Sequence, residues 1–165
     1  GESALLASCP KTLIFRSSWI VGMHGRNFAK TILRLAEEKE TLNVISDQFG
    51  SPTSAILISD VTAKIVGETK ISNLENIPYG LYHLVASGET TWYEYARFVV
   101  GKAIESGKNI KLLPDNIKPI SSLDYPQPAK RPRNSRMDTQ HFQKTFMLEL
   151  PDWKLGVNKI LQGIL

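Results

Sequence analysis

Gly80-Leu81-Tyr82-His83-Leu84-Val85, followed after a short link by Thr91-Trp92-Tyr93-Glu94, decides the fold class. The first stretch is a compact apolar run and reads as a buried strand. The second fits a capping box, in which a threonine hydroxyl and a glutamate carboxylate satisfy two free backbone N–H groups at a helix start. The helix this predicts runs to about Ser106, where Gly107 stops it. A strand that feeds a helix through a short link is the building unit of α/β proteins.

The same alternation extends in both directions. Upstream, Leu13-Ile14-Phe15 reads as a strand, and Gly22 and Gly25 flank a loop. Asn27 caps a helix from Phe28 to about Glu38, with Phe28, Ile32 and Leu35 recurring on one face beside Ala29, Leu33 and Ala36. Leu42 to Ile45 reads as another strand, and Asp47 to Thr53 as a turn-rich stretch. A helix is predicted from Ile58 to about Thr69, starting near Ser59 or Asp60, and a loop from Asn73 to Pro78. Downstream, Ile110 to Leu113 reads as a short strand. Asp138 or Thr139 starts a helix through Phe146, and Pro151 takes the first position of the last helix, with Asp152 and Trp153. At the other end, Ala4-Leu5-Leu6-Ala7 follows Gly1-Glu2-Ser3 at once and reads as a helix entered part-way along.

The 165 residues suit one domain of ordinary size or the larger part of one. A chain this long buries roughly 70% of its unfolded surface. At 42% hydrophobic and 22% charged, it is neither disordered nor collagen-like. No apolar run approaches the roughly 18 residues of a spanning helix, so no membrane partner is expected. The single cysteine, Cys9, excludes an internal disulfide and any multi-cysteine zinc site; it reads as a small buried hydrophobe. Cysteine usage and the lack of a signal-peptide pattern favour the cytoplasm.

The net charge of +4 is local. Lys130, Arg131, Arg133 and Arg136 form one acid-free cluster; without them the chain holds 16 basic and 16 acidic residues. A nucleic-acid binder spreads its charge over a face, so this loop reads instead as an anion pocket or a solvated basic turn. Pro114, Pro119, Pro126, Pro128 and Pro132 keep the approach to it extended.

Self-contained catalytic chemistry is not legible. No Gly-x-Gly-x-x-Gly follows a strand, and no Tyr-x-x-x-Lys pair occurs: Arg97 lies four past Tyr93, and His83 four past Tyr79. His24, His83 and His141 lack metal-ligand spacing, and Cys9 has no activating histidine nearby.

Several elements, however, carry a resemblance. Arg16-Ser17-Ser18-Trp19, Asn27-Phe28, Asp47-Gln48-Phe49-Gly50-Ser51-Pro52-Thr53, Gly80-Leu81-Tyr82-His83-Leu84, Thr91-Trp92-Tyr93, Arg131-Pro132-Arg133-Asn134-Ser135-Arg136 and Leu150-Pro151-Asp152-Trp153, in that order, resemble the dTDP-4-dehydrorhamnose reductases, which are extended short-chain dehydrogenase/reductases. The resemblance implies an α/β fold: the C-terminal part of a Rossmann-type parallel sheet plus the small α/β substrate-binding domain. Residues 1–165 would be a single C-terminal fragment, with the NAD(P)-binding half and the catalytic tyrosine and lysine upstream. The parent would reduce dTDP-4-dehydro-L-rhamnose to dTDP-L-rhamnose with NADPH or NADH, in dTDP-rhamnose biosynthesis that feeds cell-surface polysaccharide. The fragment alone would be inactive and bind no cofactor. Carried across, Trp19 packs against the sugar or shapes its pocket, and Asn27 with the start of its helix faces the diphosphate. Leu42 to Ile45 and Gln48 lie near the base, Arg131 grips the diphosphate, and Asn134 supports that loop or contacts the ligand. Ser54, Ala55, Ile56 and Leu57 stand where some relatives place a metal-binding glutamate, so no metal is expected. A homodimer is a possible assembly. The alternative is a non-catalytic nucleotide-binding or regulatory module of the same fold.

Overall fold

In the computed structural model, residues 1–71, 77–125 and 131–165 are described. Lys130, Pro126, Pro128 and most of the expected loop from Asn73 lie outside them. Helix α1 (Glu2–Ser8) leads into strand β1 (Leu13–Arg16), and β2 (Ile20–Val21) follows. Asn27, in extended backbone, then caps α2 (Phe28–Glu38) by accepting the Lys30 N–H. Ala29, Ile32, Leu33 and Ala36 form the buried stripe of α2, whereas Phe28 and Leu35, expected on the same face as Ile32, are only half-buried.

Strand β3 (Leu42–Ile45) leads to two very short strands, β4 (Phe49–Gly50) and β5 (Thr53–Ser54). Helix α3 (Ala55–Ile71) starts earlier than Ile58, because the Ser54 hydroxyl accepts the Leu57 N–H. Strand β6 (Gly80–His83), β7 (Thr90–Thr91) and α4 (Trp92–Glu105) complete the opening unit. The Thr91 hydroxyl accepts the Glu94 N–H, but the Glu94 carboxylate makes no return bond among the described residues, so only half of the expected box forms.

Ile110 to Leu113 is not a strand. Its backbone instead closes the end of α2, with the Lys111 and Leu112 N–H groups both donating to Ala36 O. The strand lies further on, at β8 (Ile117–Ile120), where Pro119 disguises it. Proline lacks an N–H, but β8 has only β3 beside it among the described residues, so no ladder bond is lost on the open edge. Helix α5 (Gln140–Phe146) begins after Thr139, and the Asp138 carboxylate accepts the Gln140 N–H. Helix α6 (Trp153–Gln162) is capped by Asp152, which puts Pro151 before the cap instead of inside the first turn. Cys9 is exposed, not buried: it ends the short α1, which buries none of its residues.

Three strand pairs are parallel: β1 with β6, β2 with β5, and β3 with β8. Only β4 with β7 is antiparallel among the described residues, setting Phe49 opposite Thr91 and Gly50 opposite Thr90. Helix α4 packs against α2, β3, β8 and α6. The larger core joins α2, α4 and α6 through residues such as Ile32, Val99, Val100, Trp153, Val157 and Ile160. Full burial of an aliphatic side chain of this size is worth about 1.5–3 kcal/mol. A smaller core joins α3, β6 and α5 through Val61, Ile65, Tyr82, Leu84 and Phe142.

A buried polar knot fixes the segment between β3 and α3. Thr53 Oγ1 donates to Ser51 O and accepts the Ala86 N–H, while Ser51 Oγ donates to Ala86 O at 2.7 Å. These bonds pin the Asp47–Thr53 segment to the end of β6 away from water, where such bonds are costly to break. The Thr53 N–H in turn donates to Trp19 O at 3.1 Å. The knot thereby ties the residues after β1 to the segment that carries Gln48 and Gly50.

Candidate functional site

A cleft of about 890 Å³ opens between α2, β3 and the start of α4. Aromatic rings of Trp19, Phe28, Trp92 and Tyr95 line it beside the polar groups of Asn27, Asn43, Tyr125 and Arg131. An apolar wall with a few convergent polar groups is the usual form of a small-molecule site.

Trp19 has φ +48, in the left-handed region that L-residues avoid. Its ring stacks on Trp92 with centroids 3.7 Å apart and planes 13° apart. Phe28 meets Trp92 at 4.5 Å and Tyr95 at 5.1 Å. The Tyr95 hydroxyl is buried with no hydrogen-bond partner among the described residues, and burial pushes its pKa up, so it stays protonated. Gln48 is buried behind this wall, and its Oε1 accepts the Trp92 indole N–H at 3.2 Å.

Both ends of the Asn27 side chain are engaged: Oδ1 accepts Lys30 N–H and Nδ2 donates to Gly22 O. An anion at this helix start would therefore meet backbone N–H groups and the helix dipole, not the asparagine amide.

The basic loop is pinned next to Trp19. Ser18 Oγ donates to Ser135 O, and Phe49 N–H and O bond Arg133 O and Ser135 N–H. Arg133 faces Asp47 at 3.9 Å, and Arg136 pairs with Glu89 at 2.8 Å. Arg131 lines the cleft, and among the described residues no acidic side chain pairs with it. Asn134 turns away: its Oδ1 accepts both the Arg136 N–H and Nε–H, so it shapes the loop. Trp19, Asn27 and Arg131 thus share the cleft, Gln48 supports its wall, and Asn134 stands outside it. Tyr95 carries no sequence signal beyond helix packing, and Trp92, though part of the Thr91-Trp92-Tyr93 element, reads only as a packing residue. Trp92 enters the site only through the β4–β7 pairing, which spacing does not reveal.

The profile of the RmlD substrate binding domain matches residues 1–165. The chain belongs to this family. Over 164 residues this RmlD domain is 49% identical to the dTDP-4-dehydrorhamnose reductase of Escherichia coli, covering 99% of the chain and 53% of that protein. The Salmonella typhimurium enzyme of the same name is 49% identical over 161 residues, with 98% and 52% covered. A solved dTDP-4-dehydrorhamnose reductase from Clostridium acetobutylicum superposes with a TM-score of 0.83 at 28% identity, over 99% of this chain and 52% of that one. One from Bacillus anthracis, solved in complex with NADP, gives 0.74 at 27% identity, over 91% and 48%. The RmlD domain here spans about half the length of the curated relatives it matches. No helix among its described residues is long and apolar enough to cross a membrane.

Asp47 does not line the cleft but braces the segment of this RmlD domain that carries Gln48. Its carboxylate accepts the Ser122 N–H at 2.8 Å and the Ser122 hydroxyl at 2.9 Å, tying the end of β8 to the segment before β4. Burial alone would raise its pKa, but these bonds and nearby Arg133 outweigh that and hold it below the usual carboxylate value of 3.8. A depressed folded-state pKa gives stability that is present above the unfolded value and lost as pH falls through the folded one. Asp47→Asn is therefore expected to lower stability at neutral pH and flatten its fall below about pH 4. Denaturant unfolding across acid pH checks this; parallel curves for the two proteins would refute it.

Proposed function

We propose that this chain is the nucleotide-sugar-binding portion of a cytoplasmic reductase that converts dTDP-4-dehydro-L-rhamnose to dTDP-L-rhamnose. The observation that carries the reading is the cleft itself. It combines an aromatic wall, a helix N-terminus and the acid-free Arg131 in a domain 49% identical to enzymes of that name. The guanidinium of Arg131 can grip two phosphate oxygens at once, and the start of α2 offers N–H groups and a favourable dipole to the same diphosphate. The aromatic wall excludes water beside the sugar, which strengthens those contacts. Leu42 to Ile45, along the cleft, would take the base.

NADPH or NADH would supply the hydride. The sequence contains neither a Gly-x-Gly-x-x-Gly loop nor a Tyr-x-x-x-Lys pair. Cofactor binding and proton donation are therefore assigned outside these 165 residues, and the chain alone is expected to turn over no substrate. Its own task is to bind and orient the keto-sugar.

Calorimetric titration tests this. dTDP is expected to bind and NADPH not to. Arg131→Ala should weaken dTDP roughly 10- to 100-fold, the scale of hydrogen bonds to a charged group. Absence of dTDP binding, or an unchanged affinity in the variant, would overturn the assignment.

A further inference from the structure

Trp19 cannot offer a ring face to a ligand in this arrangement. Trp92 covers one face at 3.7 Å, nearly parallel. On the other side lies Gly50. A Cβ built there would stand 2.5, 2.8 and 2.9 Å from Cε2, Cδ2 and Cζ2 of Trp19. Three fused-ring atoms at such similar distances are met face-on, and the Trp92 side is already filled. The indole is therefore clasped between a ring and a backbone, and only its edge remains for the cleft it lines.

The clasp is built from sequence-distant parts. Antiparallel pairing of Phe49 with Thr91 continues to set Gln48 opposite Trp92, and Gln48 Oε1 takes the Trp92 N–H. Trp92 is the first residue of α4, whose backbone is fixed by the Thr91 cap. Gln48 is itself buried, so Trp92 has a rigid anchor.

We infer that Trp92, held by Gln48, is a positioning residue that clamps Trp19 edge-on to the cleft, so that the indole edge rather than its face meets the sugar. An aromatic edge is the positive rim of the quadrupole, and in tryptophan it carries an N–H donor. It suits hydroxyl and carbonyl oxygens on the rim of a sugar ring, whereas a face suits its C–H groups. This inference rests on the nucleotide-sugar function proposed for the cleft and refines how Trp19 contributes to it.

The test separates the sugar from the nucleotide. Affinities for dTDP and dTDP-L-rhamnose are measured by calorimetry on wild type, Trp92→Leu, Trp92→Phe and Gln48→Met. Wild type is expected to bind dTDP-L-rhamnose more tightly than dTDP. In Trp92→Leu that preference should fall roughly tenfold, with dTDP affinity changing less than about twofold. Trp92→Phe, which keeps a ring to stack, should retain most of the preference, and Gln48→Met should lose part of it. Should Trp92→Leu fail to fold, the Phe and Met variants decide the matter in the same way. A preference unmoved by the substitutions, or both ligands weakened equally, would reduce Trp92 to packing and overturn the inference while leaving the function standing. Loss of dTDP binding in wild type would instead overturn the function, and the inference with it.

Discussion

Gly50→Ala is expected to cost about 1–3 kcal/mol of stability, the usual penalty for forcing a methyl into filled space. The backbone there is not in the left-handed region, so conformation alone would admit alanine. The obstacle is the Trp19 ring, which a Cβ would meet at 2.5 Å. That ring has nowhere to retreat, because Trp92 backs it and Gln48 backs Trp92. Strain at Gly50 should therefore propagate to the cleft wall. A double-mutant cycle isolates the cause: in a Trp19→Ala background the alanine at position 50 should cost little, giving a coupling of about 1 kcal/mol or more. An equal cost in both backgrounds would mean that another contact sets the penalty.

Nothing local in the sequence marks Gly50 as the back of an indole, whereas helices α2 and α4 are legible because each announces itself twice. For α2, Asn27 supplies the cap and Phe28 to Ala36 the apolar stripe; for α4, Thr91 supplies the cap and Gly107 the stop. Strands β1, β3 and β6 are apolar runs and equally plain. By contrast, β2, β4 and β5 hold two residues each and are too short to show a period. They exist because neighbours impose them, through the Thr53–Ala86 and Ser51–Ala86 bonds. Single residues account for two misread elements. Pro119 hides β8, since a proline argues against a strand unless the strand lies at an edge. Leu112, fully buried, suggests a strand where the chain merely crosses the end of α2.

The site divides along the same line. The basic cluster and the Asn27 helix start can be named from charge and capping, which are local. Resemblance adds Trp19 and Gln48 and picks Arg131 out of the cluster. Gln48 acts behind the wall by holding Trp92, a geometry that depends on the β4–β7 register. Within the basic cluster, charge alone does not say which arginine is available. The structure distinguishes them by their partners: Asp47 beside Arg133, Glu89 on Arg136, and no acid for Arg131 among the described residues.

Trp153→Ala should be the most damaging truncation in the larger core, at about 3–5 kcal/mol. Trp153 is 4% exposed and meets Tyr95 and Phe98 edge-to-face, at 5.6 and 5.1 Å. It also opens α6: its N–H donates to Ser87 O, and Asp152 beside it caps the helix. Gly88, at φ +79, lets the preceding link approach closely, since a Cβ there would lie 2.7 Å from the Asp152 carboxylate. Removing the indole thus leaves a cavity at the junction of α4 and α6 while the backbone anchors stay in place, so little collapse can offset it. A domain of this size is stable by only about 5–15 kcal/mol, so the loss should shift a urea midpoint well beyond that of the control Leu123→Ala. Leu123 is 79% exposed and should change stability by no more than about 0.5 kcal/mol. Tyr95 spans the two regions, touching Trp153 on one side and Phe28 of the cleft wall on the other. Trp153→Ala should therefore also weaken dTDP-L-rhamnose binding measured well below the unfolding transition. A destabilised variant that binds with wild-type affinity would show that the cleft wall is held independently of the core behind it.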